Sequence, residues 1–365
     1  MDTATLINSI DKTILTVRTS SADFSFNELA EMYKDQELII SPEFQRLFRW
    51  SETLQSQFIE SIILELPIPP IFVVERQGSR IWELIDGLQR ISSWLHFKGL
   101  LREEGELLSP LCLKNCDIIE GLNGLTFETL PQAIKLKIKR SPIRVEIIGK
   151  DSSSRLKYDM FNRLNTNGLT LSPQEIRNAT IRLLDSGDKF MRFIIKLSEN
   201  NYFKTCISSV AEYDIRRKSD QELVLRFFAL KNGIEKYEEQ LSEFMTQYAE
   251  LVAEKKHNFD YIREEKIFEK TFKILKGSLG KDIFRSSKNG QYRAFYFEAF
   301  TLGIQKFLEQ IEQKHYSKLG ENFRNIKEDK DFKMATSTKD GSKRKNLKKR
   351  IELIENIVEK ILTNS

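Results

Sequence analysis

The chain has 365 residues, of which 40% are hydrophobic and 30% charged, enough to bury a sizeable core in two or three domains or in one large domain with an extension. No apolar stretch approaches the roughly 20 residues that span a bilayer. The opening MDTATLINSIDK has no basic flank leading into an apolar run, so export and membrane insertion are not expected and the cytoplasm is the expected compartment. The cysteines Cys112, Cys116 and Cys206 form no framework of close pairs, which suits a reducing compartment, and no His or further Cys stands near the first two to complete a metal site. A balance of 58 Lys and Arg against 53 Asp and Glu, a formal charge of +5, permits contact with nucleic acid without establishing it.

In chain order, Ser25 is placed to cap a helix over 26–33, and 37–40 reads as a short strand leading into Pro42. Ser51 can cap a helix reaching about Leu66, because Leu54, Phe58, Ile59, Ile62, Ile63 and Leu66 recur at spacings of three and four, and Pro67, Pro69 and Pro70 then end it. Residues 71–75 and 80–85 are rich in β-branched and aromatic types around a Gln77-Gly78 turn and read as a hairpin. A helix follows from about Gly87 to Lys98, stopped by Gly99. A further helix is expected after Pro131, a strand over 143–148, a helix over 154–164 and a turn at Asn165 to Gly168. Ser172-Pro173-Gln174-Glu175 then has the residues of a capping box with Pro at the first helical position. Beyond Asp220 the pattern is almost wholly helical, which places a boundary between Leu184 and Asp220. The stripe Phe297, Phe300, Ile304, Phe307 and Leu308 fits a core face better than a partner groove. Residues 335–342 read as a linker before a final amphipathic segment.

Chemistry concentrates at Asp86-Gly87-Leu88-Gln89-Arg90. A strand feeding Asp-Gly and then a helix presents the unpaired N–H groups and partial positive charge of a helix start, which is a ready anion site. Gly87 permits close approach of a phosphate, and Arg90, one turn on, offers a planar two-pronged donor. Taken alone, Asp86 as N-cap with Gln89 at the third helical position is an ordinary capping box. Two further clusters stand beside it. One is Pro42 to Trp50, with Phe44, Gln45, Arg46 and Arg49, whose Arg and Trp suit phosphate and base contacts but also a loop packed into a core. The other is Phe161 to Asn165, with Asn162, Arg163 and Asn165 at a helix-to-turn junction. Glu60, Glu83 and Asp86 are candidate metal ligands but form no compact trio in sequence. Lys343, Arg344, Lys345, Lys348, Lys349 and Arg350 make six of ten residues cationic, either a solvated helix start or a DNA contact.

The strings PEFQRLFRW, FIESIILELPIPPIFV, IDGLQR, FNRLNTNGLTLSPQEIRNA and DQELVLRFFAL, in this order, resemble the N-terminal domain of GmrSD-type restriction endonucleases, a ParB/sulfiredoxin-like family, over about residues 24–230. The resemblance implies an α+β fold, with a small ParB/sulfiredoxin-like mixed α/β core over 1–200 and a mostly α-helical region over 201–334. A basic linker and terminal helix are expected over 335–365. It further implies binding, with hydrolysis, of a nucleoside triphosphate with Mg²⁺ in a restriction or anti-phage defence system acting on DNA, including modified phage DNA. By motif position Asp86, Gln89 and Arg90 would be catalytic, and Gly87, Phe44, Gln45, Arg46, Asn162, Arg163 and Asn165 would bind nucleotide. Arg49 and the six cations of 343–350 are the expected DNA contacts. Leu88 stands where the commonest family form has its first Gln, which favours binding over turnover. His96, His257 and His315 are scattered, so no clustered general base of a fused HNH nuclease is visible and a separately encoded effector or nuclease is expected. The competing readings are a ParB-like metal-dependent DNA nuclease and a non-enzymatic DNA-binding or scaffold protein.

Overall fold

A computed structural model describes the chain except for residues 1, 4, 8–18, 41–47, 49, 76–79, 104, 150–159, 161–162, 164–171, 239, 287–289, 337–342 and 364–365. It divides into two compact units, Met1–Thr170 and Leu171–Ser365. As the sequence implies, a mixed α/β region precedes a mostly helical one.

The first unit is built on a five-stranded mixed sheet of β1 (Thr19–Ser25), β2 (Leu38–Ile39), β3 (Ile71–Glu75), β4 (Trp82–Asp86) and β7 (Pro142–Ile148), in the order β1-β7-β3-β4-β2. A small separate hairpin is formed by β5 (Arg102–Glu103) and β6 (Glu106–Leu107). Central β3 runs antiparallel to β4, with Val73 opposite Leu84, and parallel to β7, with Val73 opposite Ile147. Being paired on both sides, it buries Ile71, Val73 and Val74. The expected hairpin forms, with its turn outside the described residues, and β4 runs through Asp86.

The helices α1 (Phe26–Lys34), α2 (Glu52–Ile63), α3 (Leu88–Phe97) and α4 (Gln132–Arg140) stand with the sheet in this unit. Ser25 caps α1 reciprocally with Glu28, and the Ser51 hydroxyl accepts from Leu54 N, so both caps stand where the sequence places them. Helix α2 ends earlier than expected. Glu65 adopts φ 58°, and Leu66 N closes back on Ser61 O, leaving Leu66 exposed while Phe58, Ile59, Ile62 and Ile63 are buried. Helix α3 is buried nearly all round, and its Trp94 stands against Phe26 and Phe127 while donating to Phe26 O at 2.6 Å.

The second unit opens with α5 (Pro173–Thr180), capped by Ser172 and Glu175 in the expected box. It continues through α6 (Gly187–Ser198), α7 (Asn201–Cys206), α8 (Glu212–Arg216), α9 (Ser219–Gly233), α10 (Leu241–Ala253) and α11 (Tyr261–Ser278). The last helices are α12 (Ala294–Gly303), α13 (Tyr316–Ile326), α14 (Lys330–Ala335) and α15 (Arg344–Thr363). The division falls ahead of the 184–220 interval read from the sequence because Arg177 of α5 is tied to α10, bonding Ser242 and Thr246. Phe190, Phe193, Phe227, Phe228, Phe268 and Phe272 form an aromatic core, and the stripe from Phe297 to Leu308 is buried as core. Helices α12 and α15 touch so closely that a Cβ on Gly303 would stand 2.5 Å from Ile354, so the terminal helix is part of this core. Among the described residues no helix is long and apolar enough to cross a membrane.

Candidate functional site

The turn after β4 differs from the capping box that its residues suggest. Asp86 remains in the sheet opposite Phe72, so its carboxylate is not at the N-cap; that position falls to Gly87, at φ 93° and ψ 14°. Gly87 offers no side chain to cap the first turn of α3. Glycine is required there twice over, by the left-handed backbone and by Ile71, whose Cγ2 would lie 2.4 Å from an added Cβ.

Arg90 folds back over this turn. Its Nη2 donates to Asp86 Oδ2 and to Pro70 O, each at 3.0 Å, joining the end of β4 to the residue before β3. The same nitrogen would be 3.2 Å from a Cβ on Gly87, so the guanidinium lies against the glycine. Among the described residues, Arg90 Nε is buried with no hydrogen-bond partner. A helix start without a side-chain cap, a glycine and an arginine with an unused buried donor therefore share one corner of the unit, and all three favour an anion. Leu88, by contrast, is buried.

Gln89 is engaged elsewhere. Its buried Oε1 accepts the backbone N–H of Trp50 at 3.1 Å, while Gln55 Nε2 donates to Trp50 O at 2.8 Å, so two glutamines grip both faces of one peptide residue. Gln55 Oε1 in turn meets His96 Nδ1 at 2.7 Å, and His96 Nε2 meets Ser109 O at 2.9 Å. Burial holds the His96 pKa below the ordinary imidazole range, opposed by the Ser109 carbonyl and by the charges of Glu52 and Glu103. Sequence reasoning missed this network, although it had a signal. Gln55 lies three and four residues before Phe58 and Ile59, on the apolar face of α2, where a polar side chain needs a partner.

Of the other expected nucleotide residues, Phe44, Gln45, Arg46, Asn162 and Asn165 lie outside the described residues, as does Arg49, and Arg163 is exposed. The carboxylates proposed as metal ligands do not converge. Glu60 is buried and accepts from Ile118 N and Ile119 N at 3.2 and 2.6 Å. Among the described residues no group of three His, Cys, Asp or Glu side chains could hold a metal ion. Cys112 is exposed and Cys116 buried, the latter thiol pushed up to about 11 by desolvation.

The cationic run is only partly the surface that its sequence suggests. Lys343, Arg344, Lys345 and Lys348 are exposed and Lys349 is half-buried. Arg350 is a correction: it is wholly buried, donating to Glu298 Oε2 and Ala335 O, each at 2.7 Å, because α15 turns this face into the core. It cannot contact DNA in this fold.

Sheet, turn and buried helix together define a mixed α/β domain with an anion-favouring strand–glycine–helix corner. Residues 26–182 match the family described as GmrSD restriction endonuclease, N-terminal domain, and this part of the chain belongs to that family, whose setting is DNA restriction. The match includes α1, the Asp86 to Arg90 turn and α5. No curated protein and no solved structure matched the chain.

Proposed function

We propose that the Asp86 to Arg90 corner binds the phosphates of a nucleoside triphosphate, and that the chain is the nucleotide-responsive component of a restriction or anti-phage system that acts on DNA through a separately encoded effector. The observation that carries this reading is Arg90, folded against Gly87 beside the start of α3, with a buried Nε that has no partner among the described residues. An incoming phosphate supplies that acceptor, and backbone N–H groups at the helix start add to it. Asp86 orients the guanidinium through Oδ2 and is the one carboxylate of the three considered that sits at this corner, where it would meet a nucleotide-bound Mg²⁺. Bound Mg²⁺ would spread the developing charge on the phosphates. Gln89 fits a positioning role, because its amide oxygen is committed to Trp50 at the end of the Pro42 to Trp50 cluster. The domain's family supports the restriction setting.

Binding of fluorescent ATP, GTP and CTP analogues, followed by phosphate release with and without DNA, tests the proposal. Arg90→Ala is expected to weaken binding of the preferred analogue at least tenfold, and Arg90→Lys to restore little, since a point charge replaces a planar fork. Asp86→Ala should reduce turnover more than binding. Unchanged binding and turnover in both alanine variants would overturn the assignment.

A further inference from the structure

The cations Arg344, Lys348, Lys349 and Arg350 already have acceptors within the second unit. Lys348 pairs with Glu235 at 2.7 Å, Arg344 donates to Glu235 O, Lys349 stands 3.9 Å from Asp331 and Arg350 is buried on Glu298. Cations gather more openly elsewhere in the unit. A cleft of about 830 Å³ is lined by Lys231 of α9 and by Arg263, Lys266 and Lys270 of α11, with Asp260 and Glu309 as its acids. Lys231 is balanced by Glu264 at 3.0 Å and Lys270 by Glu309 at 2.6 Å. Asp260 is occupied as the N-cap of α11, accepting from Ile262 N and Arg263 N. Arg263 and Lys266 are exposed, and neither has an ion-pair partner among the described residues.

Spacings of three and four residues put Arg263, Lys266 and Lys270 on one face of α11, over a rise of about 10.5 Å. One strand of B-form DNA presents a phosphate about every 3.4 Å of axis, so the row meets about three phosphates. No residue lining the cleft is aromatic, so it lacks the stacking platform that single strands require. We propose that this cleft is a DNA site that takes the phosphate backbone of a duplex. Arg263 and Lys266 are its direct contacts, and Lys270 joins them by exchanging Glu309 for phosphate. The proposal rests on the DNA part of the function proposed above and is independent of its nucleotide part.

The test compares two double variants of equal charge change in the full chain, Arg263→Gln with Lys266→Gln and Lys343→Gln with Lys345→Gln. Anisotropy of a labelled 20-base-pair duplex is measured between 50 and 200 mM salt. All four positions are exposed, so both proteins should melt as the parent does. The cleft pair is expected to bind at least tenfold more weakly, with the salt slope reduced by about 1.8 for two lost phosphate contacts, and the 343/345 pair to change affinity less than twofold. Equal losses in both pairs would show that net charge alone is read and would overturn the cleft. So would a larger loss in the 343/345 pair, tighter binding of a single strand of equal length, or no duplex binding by the parent chain. Fluorescent-nucleotide binding by the same proteins reports on the Arg90 corner alone, so failure of either site is distinguishable from failure of the other.

Discussion

At the scale of single residues, the corner depends most on Gly87. Its φ of 93° lies in the left-handed region, and a methyl group there would enter the space of Ile71 Cγ2, at 2.4 Å, and crowd Arg90 Nη2, at 3.2 Å. Backbone strain and overpacking act together, and Ile71, wholly buried and paired with Val145 of β7, has little room to yield. Gly87→Ala is therefore expected to destabilise the chain by about 2–4 kcal/mol, read as a lower urea midpoint with unchanged slope. A midpoint within error of the parent would mean that the turn relaxes freely, and the tight packing against Ile71 would then not hold in solution. Asp86 shows a limit of local reading. Asp and Gln three residues apart spell a capping box, but pairing of Asp86 with Phe72 in the sheet outweighs that motif. Such pairing depends on a strand many residues away, whereas the caps at Ser25, Ser51 and Ser172 depend only on the next turn and were legible.

At the scale of elements, α3 joins the corner to the interior. Gln89 and His96 are seven residues apart, hence on one face, and they reach Gln55 of α2 and Trp50, the residue before its Ser51 cap. A neutral imidazole has a single N–H to share between Gln55 Oε1 and Ser109 O, so one of its two contacts sets lone pair against lone pair. That strain and the nearby Glu52 charge pull towards protonation, but burial is the larger influence and the folded pKa lies below the ordinary value. The folded state thus binds the His96 proton less readily than the unfolded chain does. Stability from this residue is present above the ordinary imidazole value of about 6.5 and is lost as pH falls through it towards the depressed folded value. His96→Asn should flatten this part of the stability–pH curve, measured by urea unfolding between pH 5 and 8. A parent chain that instead becomes more stable on acidification across this window, with the gain abolished in the variant, would place a cationic ring in the fold. Gln55 and His96 were visible as polar residues in apolar company, but their pairing required knowing that α2 and α3 are neighbours.

At the scale of the whole chain, the expected order of a mixed α/β region and then a helical one is present, and the limits of the sequence reading lie in long-range charge pairing. A run of cations before an amphipathic helix looks like surface because each charge is judged without its partner. Arg350 finds that partner in Glu298, 52 positions earlier, which also accepts from Arg226 at 3.3 Å; Arg226 bonds Glu222 at 3.1 Å, and Glu222 accepts from Arg177 at 3.4 Å. Alternating charges thus link α5, α9, α12 and α15 inside the second unit, with Arg350 and Glu298 nearly sealed from water. Removing one member of a buried pair leaves the other desolvated and unpaired, a loss of about 3–5 kcal/mol, whereas replacing both with apolar groups can be nearly neutral. Glu298→Met and Arg350→Met are each expected to lower the thermal midpoint sharply, and the double variant to recover part of the loss even though Arg226 then lacks one acceptor. Strictly additive losses in that double-mutant cycle would mean that the two side chains are not coupled. A recovery would establish the ladder as the interior tie of the terminal helix and explain why Arg350, the last cation of the 343–350 run, is unavailable to DNA.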